Sequence, residues 1–224
     1  MRLKQAVDTV RAAEPNVVLL DAGDEFQGTL FYTQFKGDVA AEVLDALDYT
    51  PLRRAIMSST TLRRIQALCG ADACAVLAAN LTLPRRTRGQ AAHAPLDCRG
   101  APGPQDRHCG AGQRGNAFSG LPLQGGRVRS GGNALREAVA SLRAQGVNII
   151  IALTHLGLNV DCELAGRVDG VDVFVGGHTH SLLSNTNPKA VGPYPIVKHS
   201  PSGEPVLVVT AASSCKLLGH IAID

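Results

Sequence analysis

The most constraining feature of this chain is a short apolar run, residues 171–175 (Val-Asp-Val-Phe-Val), that ends in Gly-Gly-His-Thr-His. An apolar run of this length followed by two glycines predicts a buried strand that stops in a tight loop. The loop carries His178 and His180, two residues apart. Neutral imidazole is the commonest protein ligand for zinc-like divalent metals. Taken alone, however, a His-x-His loop is more typical of an ordinary surface loop than of a metal site.

Two further segments repeat the arrangement. Residues 148–153 (Asn-Ile-Ile-Ile-Ala-Leu) predict a second buried strand, which is followed by His155, and residues 17–20 predict a third, which is followed by Asp21 and Asp24. Since ligands bind at the carboxyl ends of strands in α/β sheets, we expect these side chains to converge. One carboxylate with three imidazoles suits zinc, manganese or iron. Paired ions of this kind are a standard device for hydrolysing phosphate esters.

These motifs together carry a family resemblance. Residues 21–29 (Asp-Ala-Gly-Asp-Glu-Phe-Gln-Gly-Thr), 153–157 (Leu-Thr-His-Leu-Gly) and 176–180 (Gly-Gly-His-Thr-His) resemble the 5′-nucleotidase family of calcineurin-like metallophosphoesterases, and the loop 187–195 is similar to a downstream loop of that family. The likeness covers about residues 1–50, 76–84 and 133–224.

The resemblance implies an α/β fold, a four-layer αββα metallophosphoesterase sandwich that is incomplete in this chain. It implies two divalent metal ions, zinc, manganese or similar, and a nucleotide substrate. Carried over by position, Asp24 bridges both metals, His155 and His178 bind one of them, and His180 binds the other. Asp21 does not match a ligand position, and we expect it to support its loop as a turn cap. No residue of this chain matches a catalytic position.

Three parts of the family pattern have no counterpart in the sequence. They are an Asp-x-His motif, a Gly-Asn-His-Glu loop that supplies an Asn ligand and an acid histidine, and a separate C-terminal nucleotide-binding domain. We therefore expect residues 1–224 to form a partial metallophosphoesterase domain that holds one metal ion, or none. The family is usually exported to the periplasm or cell surface, but no signal peptide is recognised here, so the location stays open. No apolar run is long enough for a membrane span.

Residues 51–132 differ in composition from the rest of the chain. They hold 12 arginines, no lysine, no glutamate and three aspartates, a net charge of +9 in a chain whose total is +3. One interpretation is translation in a shifted reading frame, because codons exist for residues 54–61 that give Gly-Asn-His-Glu when read from the last base of the Arg54 codon. We therefore expect residues 51–75 and 85–132 not to be native-like.

Three functions follow from these patterns. The first is a metal-dependent 5′-nucleotidase that hydrolyses nucleoside monophosphates or related nucleotides, and the second is a catalytically inactive truncated or frame-disrupted fragment of one. The third is a basic nucleic-acid-binding protein built on the arginines. We favour it least, because Phe118 is the one aromatic side chain in that stretch and base stacking needs several.

Hydrophobic periodicity also predicts the regular elements. Helices are expected at 3–13, 37–47 and 134–144, the last ending at Gly146. Late strands are expected at 206–210 and 220–223, and residues 184–202, rich in Pro, Gly, Asn and Ser, predict a long loop.

Overall fold

The computed structural model describes residues 2–24, 30–35, 38–47, 54–55, 76–77, 81–82, 106–111, 127–128 and 131–223. Five helices occur in these ranges: α1 (Arg2–Ala13), α2 (Leu30–Phe35), α3 (Asp38–Leu47), α4 (Gly131–Ala144) and α5 (Leu158–Ala165). The strands are β1 (Arg54–Ala55), β2 (Val76–Leu77), β3 (Leu81–Thr82), β4 (Asp106–Ala111), β5 (Arg127–Val128), β6 (Ile149–Thr154), β7 (Val173–Val175), β8 (Ile196–His199) and β9 (Pro205–Val209).

Five of the strands form one mixed sheet in the order β4-β6-β7-β9-β8. The first four run parallel, and β8 pairs antiparallel with β9 at the edge. The register of β6 on β7 places Leu153 opposite Val175, so the two strands end side by side. The segments that follow these strands therefore emerge at the same edge of the sheet, where ligands bind in α/β folds. Two short pairs, β1 with β2 and β3 with β5, lie outside this sheet.

The main core lies between helix α4 and this sheet. The buried residues of α4 are spaced three or four apart, which is the stripe expected of a helix lying on a sheet. Phe174 and Ile150, both fully buried, pack in the same cluster from the strand side. Burying an aliphatic or aromatic side chain of this size contributes about 1.5–3 kcal/mol. The cluster consists of Leu135, Ala138, Val139, Leu142, Val147, Ile150, Ala152, Ala165, Val168, Val171, Phe174, Val206 and Val208.

A smaller core joins the N-terminal helices. Val7 of α1 and Leu47 of α3 pack with Leu19, and Leu218 from the end of the chain covers them. The Arg11 guanidinium donates a 2.8 Å hydrogen bond to the Leu47 carbonyl at the end of α3. A cation at a helix C-terminus satisfies carbonyls that have no partner within the helix. This cluster fixes the segment that leads into the Asp21–Asp24 loop.

Most of the expected elements are confirmed, with differences at their ends. The three helices are found, although α4 begins three residues earlier than predicted, and Gly146 follows it with φ of 77°. Two strand predictions are wrong. Residues 17–20 belong to none of the described strands, and residues 220–223 likewise form no strand. The predicted loop 184–202 contains edge strand β8, whose Ile-Val-Lys-His sequence alternates between half-buried and exposed positions.

Most of segments 51–75 and 85–132 lies outside the described residues. Within the second segment, Asp106–Ala111 nevertheless forms strand β4 beside β6. Strands β1 and β5 and the first two residues of α4 also lie in these segments. The expectation for the residues outside the described ranges, the shifted-frame interpretation and the nucleic-acid interpretation of the arginines stay predictions. In the part of the chain that the structure describes, no helix combines the length and apolar character needed to cross a bilayer.

Candidate functional site

The site is built where β6 and β7 end. His155 follows β6 directly, and His178 follows β7 after two glycines. The two imidazole rings meet edge to face, with centroids 5.3 Å apart and planes inclined at 70°. Two of the three predicted histidines are thus neighbours in space although 23 residues separate them in the sequence.

His155 is the most closely held side chain of the site, with 1% of its surface exposed. Its Nδ1 lies 2.7 Å from the Ala22 carbonyl oxygen. Because a carbonyl only accepts hydrogen bonds, Nδ1 must carry the proton, which leaves the Nε2 lone pair free in the neutral ring. Nε2 is buried and has no hydrogen-bond partner within the described residues. A buried imidazole nitrogen with a free lone pair, oriented through its other nitrogen, is the usual state of a metal-ligating histidine.

The charge state of His155 agrees with this arrangement. Burial lowers the pKa of the imidazole below its ordinary value, although the Ala22 hydrogen bond and the negative charge of Asp24 act in the opposite direction. The ring is therefore neutral near pH 7, as metal binding requires.

Asp24 supplies the nearest carboxylate. Its Oδ2 lies 3.9 Å from His155 Nε2, too far for a hydrogen bond, and its side chain is 30% exposed. The turn that precedes it is fixed by Asp21, whose Oδ1 accepts the backbone N–H of Gly23 at 2.8 Å. The prediction that Asp21 caps this loop is confirmed. Asp24 itself has φ of 76°, a left-handed conformation that non-glycine residues adopt at a cost.

His178 and His180, like Asp24, have positive φ angles. Their φ angles are 73° and 53°. His178 is half-buried against His155, whereas His180 is exposed. Positive φ at three of the four predicted donors means that the backbone at this edge is held in conformations that side chains disfavour. Such strain is concentrated at functional sites in proteins.

Two glycines make the close approach of the loops possible. A Cβ atom at Gly177 would lie 2.9 Å from His155 Nδ1, and one at Gly176 would overlap Asp161 Oδ2. Both approaches are closer than any that a real Cβ atom makes, so these positions require glycine. The two consecutive glycines after the apolar run thus have a direct steric cause.

Asp161 was not anticipated from the sequence. It lies in α5, is fully buried, and neither of its oxygens accepts a hydrogen bond of good geometry within the described residues. Burial raises the pKa of this carboxyl to about 7, and the neighbouring Thr154 hydroxyl lowers it only in part. A signal was present, because Leu158, Asp161, Cys162 and Ala165 have the spacing of one helix face and the other three pack on the core.

The structure does not bring all four predicted donors to one point. Among the described residues, no group of three or more His, Cys, Asp or Glu side chains is spaced to hold a metal ion. Asp24, His155 and His178 are neighbours, and His180 lies two residues along the same loop. The full ligand set therefore stays a prediction, to which the free Nε2 of His155 gives structural support.

The comparisons with known proteins bear on this geometry. The human 5′-nucleotidase is 33% identical over 231 residues, which cover 100% of this chain and 40% of the relative. The solved 5′-nucleotidase precursor from Thermus thermophilus is 31% identical, with a TM-score of 0.78 over 94% of this chain and 42% of that one. The chain belongs to the 5′-nucleotidase family of metallophosphoesterases.

This family membership confirms the resemblance found in the motifs, and a metallophosphoesterase family implies divalent metal ions. The fold is shown again by the NAD nucleotidase of Haemophilus influenzae, with a TM-score of 0.83 at 24% identity over 94% of this chain and 39% of that one. No protein-family model matches the chain. The chain spans about 40% of the length of the 5′-nucleotidases it matches.

Proposed function

We propose that this chain carries the metal-binding part of a phosphomonoesterase that hydrolyses nucleoside monophosphates or related nucleotides to nucleoside and phosphate. The observation that carries the proposal is His155, a buried neutral imidazole with Nδ1 fixed by Ala22 and Nε2 free beside Asp24. The relatives named above, which are 5′-nucleotidases, support the nucleotide as the substrate class.

The residues present fit a divalent metal. Imidazole nitrogen and carboxylate oxygen are donors that zinc and manganese both accept. In the proposal, Asp24, His155, His178 and His180 are the residues that would hold a divalent metal ion. Divalent ions bound there would bind phosphate oxygens and lower the pKa of a bound water.

The chain's own residues have three tasks in this proposal. Ala22 orients the His155 ring, because its carbonyl accepts the Nδ1 proton and turns Nε2 toward Asp24. Gly176 and Gly177 let the second histidine loop approach the first, since any side chain there would collide with Asp161 or His155. Asp24 and His180 stay accessible at the rim of the site, where a phosphate group can reach them. His155, His178 and His180 act as ligands and not as acid or base catalysts.

The test is phosphate release from a nucleoside monophosphate by the full 224-residue chain with added Mn²⁺, alongside the metal content of the purified protein. We expect bound metal and hydrolysis that chelation abolishes. The Asp24→Asn variant should lose both, because a neutral amide is a much weaker donor to a divalent cation than a carboxylate. His220→Ala, which alters an exposed histidine outside the predicted ligand set, is the matched control.

Two results would overturn the proposal in different ways. A chain that binds Mn²⁺ at Asp24 and His155 but releases no phosphate from any nucleotide is the inactive relative that the sequence also allowed. A chain that binds no Mn²⁺ and is unaffected by Asp24→Asn has no metal site of this kind.

A further inference from the structure

Helix α5 begins without a cap of its own. Its N-cap residue is Gly157, which has no side chain to accept the free N–H groups of the first turn. The backbone N–H of Leu158 is instead accepted by Thr179 Oγ1 at 3.2 Å. Thr179 is 21 residues further along the chain, in the loop after β7. The cap of α5 is therefore supplied by a different loop.

The methyl group of Thr179 makes a second contact with the same region. An added Cβ at Gly157 would lie 2.8 Å from Thr179 Cγ2, so the methyl fills the space that glycine leaves open. Gly157 also has φ of 94°, which favours glycine independently. The Thr179 hydroxyl also lies 2.9 Å from Ser181 Oγ. Both ends of this side chain are thus engaged.

These contacts join the two loops that carry the histidines. Thr179 stands between His178 and His180 in the sequence, and Gly157 and Leu158 follow His155 by two and three residues. Of the two loops, the first is fixed by the burial of His155 and by Ala22, but the second has strained backbone and greater exposure. The second loop needs a contact that fixes its position relative to the first, and the hydrogen bond to the Thr179 hydroxyl provides one.

We propose that Thr179 is a positioning residue that sets the separation of His178 and His180 from His155 by capping helix α5 across the two loops. The relevance to metal binding rests on the proposed function, whereas the cross-loop cap itself does not. Thr179 does not coordinate the metal in this proposal. Partners of this outer kind typically change metal affinity by about 10–100-fold when they are removed.

The test compares three substitutions in the full chain. Thr179→Val keeps the shape and the methyl group but loses the acceptor, and Thr179→Ser keeps the oxygen but loses the methyl group. Ser181→Ala is the matched control, because it removes the other partner of the Thr179 hydroxyl and leaves the Leu158 bond. The measurements are Mn²⁺ affinity by calorimetry, hydrogen exchange of the Leu158 amide in the metal-free protein, and the urea midpoint.

We expect Thr179→Val to weaken Mn²⁺ binding about 10-fold or more. Leu158 exchange should accelerate in this variant while the urea midpoint changes little, because Thr179 is exposed. Thr179→Ser and Ser181→Ala should bind Mn²⁺ within a few-fold of the parent. A Thr179→Val protein with parental affinity overturns the proposal, as does an affinity loss shared equally by all three variants.

Metal binding and amide exchange test the proposed function and the Thr179 cap separately. If the parent chain binds no Mn²⁺, the proposed function fails, and Leu158 exchange alone then decides about Thr179. Equal exchange in the parent and in Thr179→Val would show that the hydroxyl is not the cap.

Discussion

The two sides of the site hold their imidazoles by different means. His155 is 1% exposed, and the carbonyl of Ala22 selects its tautomer. His178 and His180 lie on a loop with positive φ, and a hydroxyl from the same loop ties it to α5. One side is organised by the protein interior and the other by a few polar contacts at the surface. The comparison indicates that one site can combine a buried histidine, held in a fixed orientation, with histidines on a more exposed loop.

The largest expected effect tests the anchor. His155→Ala should weaken Mn²⁺ binding at least about 100-fold, beyond the 10–100-fold range of outer contacts, because the preorganised nitrogen is lost. His180→Ala should have a smaller effect, since that exposed loop adjusts more easily. Calorimetric titration of both variants makes the comparison, and His220→Ala should bind as the parent does. Equal losses of Mn²⁺ affinity in His155→Ala and His180→Ala would show that the buried and the exposed histidine contribute equally to binding.

The next effect concerns the glycine where the second loop leaves its strand. Gly176→Ala places a Cβ atom on top of Asp161 Oδ2, so the buried Asp161 side chain or the backbone around it must shift. We expect a loss of about 1–3 kcal/mol in the free energy of unfolding, which is typical of overpacking. Urea denaturation measures it. Gly166→Ala, whose nearest contact would be an ordinary 3.7 Å, is the matched control.

The contact between Gly176 and Asp161 can be isolated by a double variant. Gly176→Ala combined with Asp161→Ala should recover part of the lost stability, because the second change removes the atom that the new Cβ meets. Full additivity of the two losses would show that the collision is relieved elsewhere.

A pH dependence of stability distinguishes the buried carboxyl of Asp161 from an exposed one. The pKa of Asp161 is raised from 3.8 to about 7, so the folded chain binds this proton more tightly than the unfolded chain. Its contribution to stability is fully present below the unfolded value and is lost as the pH rises toward 7. Asp161→Asn should therefore gain stability relative to the parent across this window, by at most about 1.4 kcal/mol per pH unit.

Urea midpoints at a series of pH values check this expectation. Asp169→Asn is the control of opposite sign, because hydrogen bonds from Ser202 lower the pKa of that exposed carboxyl and the parent is favoured as the pH rises. A difference between Asp161→Asn and the parent that does not change with pH would mean that the carboxyl titrates normally.

The sequence predicted those parts of the fold in which one pattern dominates. Helices α1, α3 and α4 were predicted because their apolar residues recur at helical spacing, and β6 and β7 because their apolar runs end in glycine-containing loops, whereas α2 and α5 were not predicted. Residues 17–20 are also apolar but form none of the described strands, and apolar character alone does not distinguish a paired strand from an unpaired buried segment. Strand β8 was missed because prolines and glycines surround it and its alternation is weak.

The sequence predicted the candidate ligand residues but not the contacts that orient them. Histidines and an aspartate after apolar runs suffice to name Asp24, His155 and His178 as neighbours. The sequence contains nothing to show that Ala22 fixes a tautomer, because a carbonyl is present at every residue. The cap from Thr179 to Leu158 was equally hidden, since it joins residues that only the folded chain brings together.

The placement of the main core has a practical consequence. The cluster of 13 buried apolar residues draws on α4 and the sheet strands, whereas the donor loops lie beyond the strand ends and carry backbone strain at Asp24, His178 and His180. If the proposed function holds, a chelator should abolish hydrolysis without unfolding the chain, and returning Mn²⁺ should restore it. Thermal unfolding would therefore be a poor assay for metal occupancy here, because a stored preparation can stay folded after it has lost the ion.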